Sequence, residues 1–306
     1  MPNLIDSEQS RENNNVLNIY CDIFLKVKVK LWKINLLPLQ KYFMNMQLIT
    51  LITDWGQKDW YNGKIKSALY SKIKDADVID INHNINKFDL RSAAFVIKNS
   101  CLDFPEGTIH IIDVNTYEDK DKSFIVVKYN GQFFICTDNG LPSMVFEDKE
   151  VAISDLSNVL SDSNYYTFAV LDVFINVVKQ LSETHSMSDM GNMLDNFSVK
   201  KYFPQASIFP DSIACQVVYI DDYGNAYLNI DDVTFTKALN GRDFELRVDT
   251  DCTITRVSSS YQDATLTGKA LLTVSSTHNL ELAVREDNFS RLLGYEIGTK
   301  VIINIK

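Results

Sequence analysis

Between Leu48 and Tyr70 the chain passes from a short apolar run into Thr53-Asp54-Trp55-Gly56, then into Asp59-Trp60-Tyr61-Asn62-Gly63, and only then into a helical segment. A strand that ends in polar and glycine residues ahead of a helix marks the βα crevice in which open α/β sheets bind ligands. Two carboxylates and three aromatics crowd this turn, a composition suited to a cationic, hydroxyl-bearing molecule.

The rhythm set there continues downstream. The pattern predicts a strand over 47–51, a helix over 62–73 and a strand over 76–81 ending in Asn82-His83-Asn84. Helical periodicity returns from Phe88 to Ser100, Phe104-Pro105-Glu106-Gly107 turns the chain, and a third strand runs over 108–112 to Asp113. Asn130-Gly131 joins two apolar runs, 124–129 and 132–136, as a hairpin. A long helix is expected over 168–181, and from Ser207 onward the pattern changes to short β segments with polar turns. The expected fold class is therefore α/β: a mostly parallel N-terminal sheet with helices on both faces over 46–204, then a smaller all-β domain over 205–306.

The 306 residues leave room for two cores. A net charge of −10 argues against nucleic acid as a partner, because phosphate binding needs clustered Lys and Arg. Cys21, Cys101, Cys136, Cys215 and Cys252 form no CxxC pair, so they read as buried apolar residues of a cytoplasmic protein, with no metal site expected. Residues 1–45 differ from the rest: Asn3 to Asn15 is polar, and Ile23 to Trp32 alternates apolar residues with lysine. That segment fits neither a transit peptide nor a membrane span. Met44 and Met46 stand just before the first strand, so it is expected to be a poorly ordered extension with no folded role.

Several motifs then fall in a recognisable order: Thr53 to Gly56, Asp59 to Gly63, Asp80-Ile81-Asn82-His83, Phe104 to His110, Asp138-Asn139-Gly140-Leu141, Tyr219 to Ile230, and Leu280 to Val284. With them the chain resembles the S-adenosylmethionine hydrolases (hydroxide adenosyltransferases), a family related to the fluorinating and chlorinating enzymes that attack the same molecule. The resemblance covers nearly everything after Met46. It implies S-adenosylmethionine as substrate, no cofactor, no membrane association, and a homotrimer whose site lies between subunits. It also implies that Asp54 holds the ribose hydroxyls, that Asp59 and Asp221 take the methionine ammonium, and that Asn225 and Ser276 contribute adenine and methionine contacts. An ionised carboxylate suits both tasks, since charge-assisted hydrogen bonds are the stronger ones. For a single aspartate, a cap or turn role is the competing reading.

At the reacting centre the chain departs from the family. The hydrolases follow the third strand with Asp-Pro-Gly-Val-Gly-Thr-x-Arg-Arg and later carry Phe-His-Gly-Arg-Asp. Here Asp113 is retained as the residue expected to orient or deprotonate the attacking water, but a longer charged loop follows it, with Lys120 and Lys122 as the available cations. Ala169 stands where the histidine belongs. His83, His110, His185 and His278 are the possible replacements, His83 foremost. Two readings stay open: a hydrolase that releases adenosine, slow for want of two partners, and a binding protein that kept the pocket and lost turnover.

Overall fold

The computed structural model describes residues 46–117, 123–159, 167–263 and 268–306. The expected N-terminal extension, residues 1–45, lies outside the described residues.

Strand β1 (Gln47–Thr53) is buried from Ile49 onward on both faces, which is why it reads as a nearly continuous apolar run. Its alternation sends Ile49 and Leu51 into one core and Ile52 into another on the opposite side of the sheet. Helix α1 (Tyr61–Lys72) covers the first face through Ile65 and Leu69, one turn apart. After β2 (Ala76–Asn82), helix α2 (Leu90–Ser100) covers the second face with Ala93, Ala94, Phe95, Val96 and Ile97. This helix begins two residues later than expected. Phe88 has φ +65°, and the Asp89 carboxylate caps the first turn by accepting from the Arg91 and Ser92 N–H groups at 3.0 and 3.1 Å.

Strands β3 (Ile109–Asp113), β4 (Phe124–Tyr129) and β5 (Gln132–Thr137) follow, then the short helix α3 (Leu141–Val145), β6 (Ala152–Asp155) and β7 (Met193–Leu194). Asn130 and Gly131 both adopt positive φ in the β4–β5 turn, as a tight hairpin requires. The sheet order is β2-β1-β3-β5-β4-β6-β7, with parallel pairing from β2 through β5 and antiparallel pairing beyond it. The chain leaves β1 towards β2 over one face and reaches β3 over the other. The carboxyl ends of β1 and β3 therefore form a topological switch point.

The long helix expected over 168–181 is divided. Val170–Phe174 forms a π-helical turn and Ile175–Thr184 forms α4, both packed on the α1 face of the sheet.

A second sheet of nine strands takes up the remainder: β8 (Ser207–Ile208), β9 (Ser212–Ile220), β10 (Ala226–Asp231), β11 (Phe244–Asp249), β12 (Cys252–Ile254), β13 (Val257–Ser258), β14 (Ala270–Val274), β15 (Asn279–Val284) and β16 (Lys300–Ile305). Its order is β12-β11-β16-β9-β10-β15-β14-β13, with β8 added beside β9. Among the described residues this part is strand-rich, with two short α-helices, α5 (Asp232–Leu239) and α6 (Phe289–Leu293), and a 3-10 turn at Tyr261–Asp263. The sheets meet through α2, where Phe95 stacks on Tyr219 at 4.6 Å between ring centroids and Val218 joins the α2 core. Cys101, Cys136 and Cys215 are buried and free, and Cys252 is half-buried and free.

Candidate active site

Thr53 and Asp113 are register partners at the ends of β1 and β3, and one residue on, the Asp54 N–H donates to the Asp113 carbonyl at 3.2 Å. The Asp54 carboxylate is buried, and one of its oxygens accepts from the N–H groups of Phe88 at 2.9 Å and Asn115 at 3.3 Å. Lys87 donates to the Asp54 carbonyl. Asp54 thus ties the loop before α2 to the loop after β3. Phe88 adopts a left-handed conformation that a bulky side chain rarely takes, and its bond to Asp54 offsets part of that strain.

The loop after Asp113 is braced from a second direction. The Asn139 amide donates to the carbonyls of Val114 and Asn115, both at 3.1 Å, while its oxygen accepts from the Leu141 N–H at 3.1 Å. Asp138 accepts from the Ser198 N–H at 2.5 Å. The Asp138-Asn139-Gly140 motif therefore acts on the site by holding the backbone of the loop that follows Asp113.

Asp113 lies 7% exposed, and the Trp55 indole N–H donates to its Oδ2 at 2.6 Å. Burial pushes the Asp113 carboxyl up to about 7; Thr116 and the Trp55 bond oppose the rise, and the negative Asp54 adds to it. Trp55 packs against three rings: His83, parallel at 6.2 Å; Phe168, edge-on at 5.1 Å; and Tyr61, tilted at 5.9 Å. Trp60 stacks on Tyr61 at 4.5 Å and is largely exposed. Ala169 is buried in the core at the entry to the π turn and brings no polar group to the site. Sequence reasoning gives Trp55, with Trp60 and Tyr61, only a packing role against the bound molecule; an indole carries one N–H donor, the signal that could have singled it out.

The histidines hold structural places. His83 is buried at the end of β2, with Nδ1 2.8 Å from the Thr53 hydroxyl and Nε2 3.1 Å from the Asp80 carboxylate, which also receives Lys66 at 2.6 Å. Burial works to raise Asp80; the Lys66 and His83 contacts outweigh it and hold the carboxyl below its ordinary value. His110 is fully buried between the Thr50 hydroxyl and Gln132 Oε1, each at 2.7 Å, and burial lowers its pKa to about 4. His185 caps α4, and His278 sits in the exposed β14–β15 turn. Lys120 and Lys122 lie outside the described residues.

The remaining site residues lie on three turns, Asp221 and Asn225 sharing one of them. Asp59 is exposed on the turn before α1, and Ser276 is exposed between β14 and β15. Asp221 spends its carboxylate on its own turn, accepting from the Asn225 backbone N–H at 2.9 Å, the Asn225 amide at 3.2 Å and the Tyr227 hydroxyl at 3.3 Å. A cleft of about 510 Å³ runs between this turn and the end of β2, lined by Gln57, His83, Asn84, Asn86, Asp221 and Tyr223 among others. Asp54, Asp113, Asn225 and Ser276 are not in its lining. Among the described residues, no group of three or more His, Cys, Asp or Glu could hold a metal ion, and no helix is long and apolar enough to cross a membrane.

Models of the SAM hydroxide adenosyltransferase N-terminal and C-terminal domains match residues 49–191 and 215–302. The chain belongs to this family. A relative in Methanocaldococcus jannaschii, an (R)-S-adenosyl-L-methionine hydrolase, is 28% identical over 201 residues, spanning 62% of this chain and 70% of the relative. Among solved structures, an uncharacterized conserved protein from Thermotoga maritima superimposes with a TM-score of 0.75 at 26% identity, covering 84% of this chain and 99% of that one. A conserved hypothetical protein from Thermus thermophilus, at 19% identity and a TM-score of 0.64, shares the fold over 85% of this chain and all of the other.

Proposed function

We propose that the protein hydrolyses S-adenosylmethionine to adenosine and methionine. Water forms a bond to the 5′ carbon as the carbon–sulfur bond breaks; the electron pair goes to sulfur, releasing the neutral thioether of methionine, and the water proton passes to Asp113 or to solvent. A neutral leaving group needs no general acid, so alignment of water with the 5′ carbon in a dry site supplies much of the acceleration. The observation that carries this reading is Asp113, a buried carboxyl poised near neutrality beside Asp54 at the switch point. In this assignment Asp54 takes the ribose diol and Asp59 the ammonium group. Asp221, Asn225 and Ser276 of a neighbouring copy complete the site in a homotrimer, a reading supported by the cleft beside Asp221, whose lining takes in His83 and leaves out Asp54, Asp113 and Ser276.

Ala169 favours a second reading, a protein that binds the nucleoside without turning it over. Incubation of purified protein with S-adenosylmethionine in ¹⁸O-water, with chromatography and mass spectrometry, separates the two. Hydrolysis gives adenosine carrying the label at its 5′ oxygen. Calorimetric binding with no adenosine released supports the second reading and removes the first.

A further inference from the structure

A buried carboxylate works as a base only if something holds its oxygens in place, and in this chain that role falls to a ring fixed by its surroundings. Trp55 is clamped between His83 on one face, the edge of Phe168 and the tilted Tyr61, so its N–H points where the packing sets it. The N–H meets Asp113 Oδ2 at 2.6 Å, the short length of a charge-assisted bond. An indole is a donor only and does not ionise at ordinary pH. Its bond to one oxygen leaves acceptor capacity on the other.

We infer that Trp55 is a positioning residue of this site, its indole N–H orienting the Asp113 carboxylate and favouring the ionised form. The inference rests on the catalytic reading of Asp113 given above. The other charged or titratable groups around the pair are Asp54 and its Lys87 contact, His83 with Asp80 and Lys66 behind it, Tyr61 on α1, the exposed Asp59, and the buried Asp172 of the π turn beyond Phe168. None of these donates a side-chain N–H to the Asp113 carboxylate; the Thr116 hydroxyl favours its ionised form alongside Trp55.

The test uses the full-length protein with ¹⁵N-labelled indoles, of which the chain has three, Trp32, Trp55 and Trp60. In the wild type, the signal that Trp55→Phe removes should move with pH through one titration near neutrality, and Asp113→Asn should abolish that titration. Trp55→Phe keeps most of the ring packing and loses the N–H. Its adenosine-forming kcat should fall about 10-fold or more, as expected for a lost hydrogen bond to a charge. The acid limb of its pH profile should shift upward by about one unit, with KM for S-adenosylmethionine within about twofold. A Trp55 signal that does not titrate, or a Trp55→Phe enzyme with an unmoved acid limb, overturns the inference. If the signal titrates as stated while the wild type releases no adenosine, the hydrolase reading fails and the Trp55–Asp113 pairing stands, so the two failures are told apart.

Discussion

The Asp54 N–H donates to the Asp113 carbonyl at 3.2 Å, one step beyond the last register pair of β1 and β3. The two carboxylates are therefore spaced by the main chain of a parallel ladder, and flexible loops do not set their separation. The Asp54 charge reaches Asp113 through this fixed geometry and helps to keep its proton on.

Asp54→Ala should weaken S-adenosylmethionine and adenosine by about 2 to 3 kcal/mol, the worth of a pair of charge-assisted hydrogen bonds to a buried diol. Isothermal calorimetry reads this directly. Equal affinity in wild type and variant would sink the ribose assignment.

Asp113→Asn should abolish adenosine formation and leave ligand affinity nearly intact, since the amide keeps the shape and cannot accept a proton. Stability supplies an independent reading. The folded-state pKa of Asp113, about 7, lies above the ordinary carboxyl value, so its contribution is complete at low pH and is lost as pH rises through 7. Asp113→Asn carries no such loss. It should be more stable than wild type at pH 8, by up to about 4 kcal/mol, with the gap narrowing as pH falls below 7 and closing near pH 4. A gap that does not vary with pH would place Asp113 in a wetter setting than the one described.

His110 works in the opposite direction. Its folded pKa is pushed down to about 4, so the neutral ring stabilises the fold fully above the ordinary histidine pKa, and that stability drains away as pH falls from about 6.5 towards 4. Urea melts across this window should show the loss in wild type. His110→Gln, less stable at pH 7 for want of the Phe104 and Phe134 ring contacts, should have a flatter profile. Parallel profiles for the two proteins would rule His110 out as the source.

Ala169→His should lower stability by about 1 to 3 kcal/mol and leave adenosine release no faster, because the position lies inside a packed core. Thermal melts and the chromatographic assay check both halves. A faster enzyme would mean that the site has room for an imidazole.

The βα rhythm is legible in the sequence because burial on both faces leaves apolar runs that turn residues interrupt; β1, β2 and the β4–β5 hairpin lie within a residue or two of their expected bounds. The start of α2 differs from expectation because Phe88 continues an apolar period while adopting a left-handed backbone, and periodicity is blind to φ. Asp54 and Asp113 can be picked out by the order of their motifs, but their partners cannot. Asp54 is held from 34 and 61 residues away, and Asp113 by an indole 58 residues distant, so only tertiary structure brings these groups together.

The π turn at Val170–Phe174 has a consequence for how this stretch is compared with its relatives. Bonds that close to the fifth residue take up one more residue than an α-turn. Since each residue advances an α-helix by about 100°, everything on one side of the turn is rotated by about that much against a regular helix of the same sequence. Counting positions from Phe168 and counting back from α4 then give different answers for which residue occupies a given point in space. A side chain equivalent in position to a relative's can lie one place away in number, and superposition of backbones, not alignment of letters, is the proper ruler across Phe168 to Ile175.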